Sequence, residues 1–248
     1  MSTPAPSSAT EKLTAHLLSL STPRPYSAAT EHPFLTAAGN GSVPPSQLSL
    51  YLSQDRLYAA HAYPRFIGHL LASVPFSSLD PLDSAAERRN QRIVAILSYA
   101  LQNVVREAKF FEETASCYGL ELEGWKERKA TRDYTAEMAR IGSEGSIEDG
   151  LVFLWAMEKV YLDAWSYVGS LASDAVVSGS PAVTALVANW TNPEFVRFVD
   201  DLADLVDSLN IKPGSDGYYR AEEIWARVVE LEEAFWPIGG EEIVVLAS

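Results

Sequence analysis

The chain is poor in the residue types that most often carry metal or nucleophile chemistry. Cys117 is its one cysteine, so no intrachain disulfide and no cysteine-based zinc site is available, and a reducing cytoplasm suits it. That thiol falls near a predicted helix end with no histidine close in sequence to activate it, and it reads as unreactive. Histidine is also scarce. The four are His16, His32, His61 and His69, preceded three residues earlier by Leu13, Ala29, Tyr58 and Phe66. No Glu-x-x-His pair exists, so the di-iron carboxylate arrangement of helical bundles is excluded, and neither metal nor cofactor is expected. A single axial histidine, His16 or His61, keeps haem as a minor alternative. Basic charge is short as well: 19 Lys and Arg face 33 Asp and Glu, a net charge of −14 that repels a phosphate backbone. The densest basic stretch, 126–132, is interrupted by Glu127 and reads as a solvated turn and helix start, so no nucleic-acid partner is expected. No apolar run approaches the roughly 18 to 20 residues of a membrane span, and 150–155 is soon broken by Glu158 and Lys159. Residues 1–9, rich in Ser, Pro and Ala, lack both the basic start and the apolar stretch of a secretory leader. They read as a disordered tail ahead of one domain over 10–248.

What remains is helical periodicity. The first helix follows a capping-box pattern over 8–11, with Leu13, Leu17 and Leu20 inward. A short helix is expected over 28–38, and a third begins at Pro44 and Pro45, where a first turn tolerates proline. Pro64 should kink or divide that helix. A long helix then runs to about Cys117 with Ile93, Ile96, Leu97, Ala100, Leu101, Val104 and Val105 inside, stopped by Gly119. Further helices cover 131–141, a stretch capped by Ser146, 182–190 and 193–209, and a last one follows the loop 212–217. Residues 241–248 are ambiguous between an extended tail and a strand. The expected class is all-α.

Three of these helices carry a carboxylate inside the apolar stripe. Asp55 follows Leu48, Tyr51 and Leu52 and precedes Tyr58 and Ala59. Glu158 follows Leu151, Leu154 and Trp155 and precedes Tyr161 and Leu162. Glu232 follows Trp225, Val228 and Val229 and precedes Phe235 and Trp236. Residues at these offsets share one helix face, so each acid should point inward with its neighbours. A buried carboxylate must be paired, hydrogen-bonded or protonated. The plainer alternative is that each acid sits at the stripe's edge and pairs with Arg56, Lys159 or Arg227. Three repeats of one local pattern favour a shared polar cavity. Acid and aromatic chemistry suits a flat, nitrogen-rich ligand: a carboxylate accepts parallel hydrogen bonds from a ring N–H and an adjacent amino group, while aromatic faces enclose the ring. Aminopyrimidines have that shape.

The stripes resemble the TenA/THI-4 proteins of the haem-oxygenase-like fold, which act in thiamin salvage. The stretch His32-Pro33-Phe34-Leu35 and the segment from Tyr51 through Asp55 to Tyr58 look like the family's N-terminal signature. Tyr134-Thr135 with Met138 resembles its tyrosine-bearing helix, and Leu231-Glu232-Glu233-Ala234-Phe235-Trp236 resembles its C-terminal signature. The resemblance implies a multi-helix up-down bundle in which Asp55 binds the pyrimidine, Tyr58, Tyr134 and Tyr161 line the pocket, and Glu232 is a catalytic acid or base. Where cysteine-type members place their nucleophile, this chain has Met157, so cysteine chemistry is not expected. The run from Leu154 to Tyr161 resembles the glutamate-type branch, as does the short 190–195 segment, and Glu158 joins Glu232 as the second catalytic candidate. The implied activity is hydrolysis of aminopyrimidine or N-formyl-aminopyrimidine products of thiamin breakdown, by a homo-oligomer, dimer or tetramer, as in the family. The alternative is a non-catalytic pyrimidine-binding or regulatory protein.

Overall fold

The computed structural model describes residues 12–174 and 180–245, with side chains described over 12–171 and 180–243. The tail read at 1–9 and the cap read at 8–11 lie outside the described residues. Among the described residues the chain is all-α, with no strand, as the periodicity requires.

Helix α8, Ile147–Asp174, is the axis of the molecule. Its residues 151–157 are all buried, the pattern of a helix surrounded by others. It packs against α2 (Ser27–Thr30), α3 (Pro33–Gly39), α5 (Tyr63–Ala72), α7 (Lys129–Glu144), α9 (Pro181–Trp190), α10 (Pro193–Ser208) and α11 (Asp216–Phe235). Gly39 makes the α3 approach possible, since a Cβ there would lie 2.7 Å from Leu171 Cβ. Ser146 and Asp149 start α8 with a reciprocal cap, each backbone N–H donating to the other's side chain at 3.1 Å.

Several expectations are corrected. The helix expected at 28–38 is two, α2 and α3, because Pro33 cannot donate to a preceding turn and restarts the chain at a first-turn position, with His32 as its cap. Leu20 ends the short α1 (Leu13–Ser19) and is only partly buried. The long α6 (Ala85–Tyr118) does stop at Gly119, whose φ of 66° is the left-handed cap, but Val105 on it is 62% exposed. Residues 241–245, read as tail or strand, form a short helix, α12 (Glu241–Val245).

The break near Pro64 takes a specific form. Helix α4 (Pro45–Leu57) passes into a π-helical turn, Tyr58–Ala62, before α5, and the Tyr63 N–H donates to the Tyr58 carbonyl five residues back. Pro64 has no N–H for the Ala60 carbonyl, and its ring would strike that carbonyl in an α-helix. The wider turn just ahead relieves the clash.

The interior carboxylates as a candidate active site

Asp55 on α4, Glu158 on α8 and Glu232 on α11 all point inward. Asp55 is 2% exposed and Glu232 fully buried, while Glu158 is partly buried. Surface pairing is ruled out because the bases weighed for it are engaged elsewhere. Arg56 bonds Glu112, Lys159 bonds Asp163 at 2.7 Å, and Arg227 bonds Glu230 at 2.7 Å.

Tyrosines take the place of bases. Asp55 accepts from the Tyr51 hydroxyl at 2.8 Å and from the Tyr161 hydroxyl at 2.9 Å. Glu158 accepts from Tyr63, and Glu232 accepts from Tyr134 through Oε1. The other oxygen of Glu232 is buried with no partner. Burial raises the phenol pKa of Tyr51, Tyr63, Tyr134 and Tyr161, so all four keep the proton they donate.

One aromatic surface joins these pairs. The Tyr58 ring lies 5.0 Å from Tyr134 and 6.1 Å from Tyr63, the donors to Glu232 and Glu158. Its hydroxyl donates to the Met157 sulfur at 3.3 Å. Tyr161 packs against Trp190 and Trp236, each at 5.5 Å. All six residues singled out from sequence, Asp55, Tyr58, Tyr134, Glu158, Tyr161 and Glu232, therefore belong to one interior cluster. Three further members were not named as site residues: Tyr51, Tyr63 and Glu107. The Glu107 carboxylate on α6 accepts from the Trp190 indole N–H.

With no cation paired to them among the described residues, burial moves the carboxyls upward from their ordinary values. Burial pushes Asp55 to about 7 against the pull of its two tyrosines. It pushes Glu158 to about 7 against Tyr63, with a smaller push from the Asp55 charge. Glu232 and Glu107 are driven upward mainly by burial, then by neighbouring carboxylate charge, which for both includes Asp55 and Glu158. Asp55 and Glu158, so poised, take up and release protons near neutrality, as acid–base chemistry requires. They also present an interior that attracts a cationic or N–H-rich ligand.

No group of three or more His, Cys, Asp or Glu side chains among the described residues is arranged to hold a metal ion. Neither histidine considered for haem joins the cluster. His16 pairs with Glu222 at 2.7 Å and stacks on Tyr218, and His61 is exposed. No helix among the described residues is long and apolar enough to cross a membrane.

Residues 23–241 match the model of the TENA/THI-4/PQQC family, and the chain belongs to that family. The chain is similar to a Fusarium pseudograminearum protein named "Probable transcription factor", 26% identical over 84% of this chain and 48% of that protein. It thus spans about half the length of that relative. It is also similar to a Glycine max protein named "Probable bifunctional TENA-E protein", 20% identical over 85% of this chain and 86% of that one. Among solved structures, a TenA homologue from Pyrococcus furiosus superposes with a TM-score of 0.74 at 21% identity, over 90% of this chain and 98% of that one, which shows a common fold.

Proposed function

We propose that this chain hydrolyses a C–N bond in aminopyrimidine or N-formyl-aminopyrimidine breakdown products of thiamin, giving hydroxymethylpyrimidine precursors for salvage. The observation that carries the reading is the cluster of tyrosine-bonded interior carboxylates with no basic counter-ion among the described residues. A protonated aminopyrimidine supplies the positive charge and the N–H donors that such an interior lacks. Each Asp55 oxygen spends one lone pair on a tyrosine and keeps another, enough for a ring N–H and the adjacent amino group. Tyr58, Tyr134 and Tyr161 line the ring.

Glu158 and Glu232 form the proton-transfer pair. As water attacks the carbon and the new C–O bond forms, one carboxylate takes the water's proton. The C–N electron pair leaves with nitrogen, which receives a proton from the other carboxyl. Formate or ammonia is released according to the bond cut. Two carboxyls with raised proton affinities, that of Glu232 raised in part by the Glu158 charge, suit the division into acid and base.

The test is incubation of pure protein with both substrate types, following formate and ammonia. Glu158→Gln and Glu232→Gln should each lower kcat by at least about 100-fold, the usual worth of a general acid or base. Full turnover in both variants would sink the mechanism. Tight pyrimidine binding without any product would establish the non-catalytic alternative, which Met157 favours. We place the protein in the cytoplasm as a homo-oligomer, with exposed Phe76, Leu79 and Leu82 between α5 and α6 as apolar surface for assembly. Sedimentation equilibrium showing a monomer would refute that assembly.

A further inference from the structure

The outer side of the π-turn borders a separate cavity. His61 on that turn and Arg65 and His69 on α5 follow one another at intervals of four residues, along one face. All three are exposed and line a cavity of about 640 Å³, a size typical of small-molecule sites, bounded on its other side by α7. Their side chains make no hydrogen bond or ion pair among the described residues. Acids are plentiful in this chain, and Arg56 on α4 and Arg140 on α7 each hold a glutamate, Glu112 and Glu137. Arg65, between them, holds none. The cavity has two ends. At one, α5 and α7 come together, since a Cβ on Gly142 would lie 3.3 Å from His69 Cβ. At the other, the loop leading into α7 lies on α4, where Gln54 Nε2 donates to the Lys126 carbonyl at 3.2 Å. Trp125 and Glu127 of that loop line the cavity with Leu57. The Trp125 indole N–H donates to the Glu121 carbonyl at 2.7 Å, which satisfies its polar atom and fixes the ring. That ring is half-buried, and no aromatic side chain among the described residues packs on it. His69 thus stands at the closed end, while Trp125 and the acid Glu127 stand at the loop end.

We propose that this cavity is a second ligand site, for an organic phosphate bearing a flat ring, with the phosphoryl group between Arg65 and His69 and the ring on Trp125. Arg65 supplies a fixed charge and a planar fork of donors that matches two phosphoryl oxygens. Each imidazole carries an N–H donor even when neutral. Four residues along α5 span about 6 Å, so Arg65 and His69 reach one phosphoryl group while His61, a turn back, lies nearer the ring. The faces of Trp125 and Leu57 give that ring an apolar seat. The net charge of −14 repels an anion at a distance, so the ligand is selected by contacts inside the cavity rather than by the long-range field. The site does not depend on what the interior carboxylates bind. Buried Phe66 stands between the two, lining the cavity and packing on Phe153 at 5.6 Å, which in turn meets Tyr134 at 6.3 Å.

Calorimetric titration of the full chain with 1-naphthyl phosphate and with 1-naphthol tests the site. The wild-type protein is expected to bind the phosphate at least about 10-fold more tightly, the low end for hydrogen bonds to a charged group. Arg65→Gln, at an exposed side chain without a partner, should weaken 1-naphthyl phosphate at least about 10-fold and 1-naphthol less than about 3-fold. Trp125→Ala should weaken both ligands at least about 5-fold, as loss of a stacking face does. Asp55→Asn, which alters the carboxylate cluster, should leave the affinity for 1-naphthyl phosphate within about 2-fold, because distant sites act independently. The ratio between two ligands on one variant is insensitive to a partly unfolded sample. No binding of 1-naphthyl phosphate by the wild-type protein at millimolar concentration would overturn the site, as would equal weakening of both ligands in Arg65→Gln, or none. Binding lost in Asp55→Asn and kept in Arg65→Gln would also overturn it, placing the ligand among the interior carboxylates.

Discussion

A phenol hydroxyl donated to a buried carboxylate stabilises its charged form, while burial favours the neutral form, and the balance sets where the acid titrates. At Glu158 burial wins by a margin that leaves the group near 7, with Tyr63 pulling the other way. Tyr63→Phe removes only the pull. The Glu158 pKa should then rise further, and if Glu158 must be ionised to act, the acidic limb of the kcat profile should move to higher pH by about one unit, a typical worth for one such hydrogen bond. A pH–rate profile of the variant superimposable on that of the wild type would show that Glu158 does not govern the limb. Tyr63 itself was hidden in the sequence for a geometrical reason. From Asp55, α-helical spacing places 58, 59 and 62 on the inner face, and the π-turn inserts one residue, so Tyr63 arrives where Ala62 was expected. Glu107 was legible by the same rule that exposed the other three acids. It lies seven residues after Ala100, three after Val104 and four before Phe111, all buried on α6. The apolar residues Leu101 and Val105 suggest a face one residue out of phase with it, and Val105 is exposed.

At the scale of elements, the carboxylates are held in register by contacts that sequence read as solvent-facing. Arg128, expected in a solvated turn, is 6% exposed. Its guanidinium donates to the carbonyls of Ala234, Phe235 and Trp236 at the end of α11 and forks onto Glu241 at 2.7 and 2.8 Å. Its backbone N–H donates to Gln54 Oε1 at 2.8 Å, and Gln54 adjoins Asp55 on α4. One loop thus ties the helix of Asp55 to the last turn of the helix of Glu232. It also accounts for α12, since Glu241 at its start is the partner that Arg128 requires. Net basic density said nothing of this, because the burial of one arginine depends on carbonyls a hundred residues away. Arg128→Ala leaves those carbonyls without its guanidinium and the partly buried Glu241 with only the Ile238 N–H at 3.2 Å, and should cost about 3–5 kcal/mol, the range for breaking a buried pair. Arg128→Lys, which cannot fork, should recover only part of that. Chemical denaturation measures both, and a loss below about 1 kcal/mol in the alanine variant would show the clasp to be incidental.

For the whole molecule, keeping several acids in a core with no cation paired to them among the described residues has a stability consequence whose sign follows from proton linkage. Asp55 and Glu158 titrate near 7 in the folded chain and at their ordinary values of 3.8 and 4.5 when exposed. Below about pH 4 both states are protonated at these sites and burial costs no ionisation. Between about pH 4 and 7 the folded state binds more protons than the unfolded one, so stability falls as pH rises, and above about 7 the loss is complete. For Asp55 the displacement of roughly three units corresponds to about 4 kcal/mol, and Glu232, displaced in the same direction, adds to the slope. The protein should therefore melt at a lower temperature at pH 8 than at pH 5, opposite to a protein whose carboxylates are held by arginines. Asp55→Asn keeps the size and polarity of the side chain and removes its proton equilibrium. It should raise the melting temperature at pH 8, flatten the decline from pH 5 to 8, and abolish pyrimidine binding, exchanging function for stability. Calorimetric scans of both proteins at the two pH values decide the matter. A decline of equal steepness in the variant would mean that Asp55 is already ionised in the folded interior, with a cation or ordered donors compensating it.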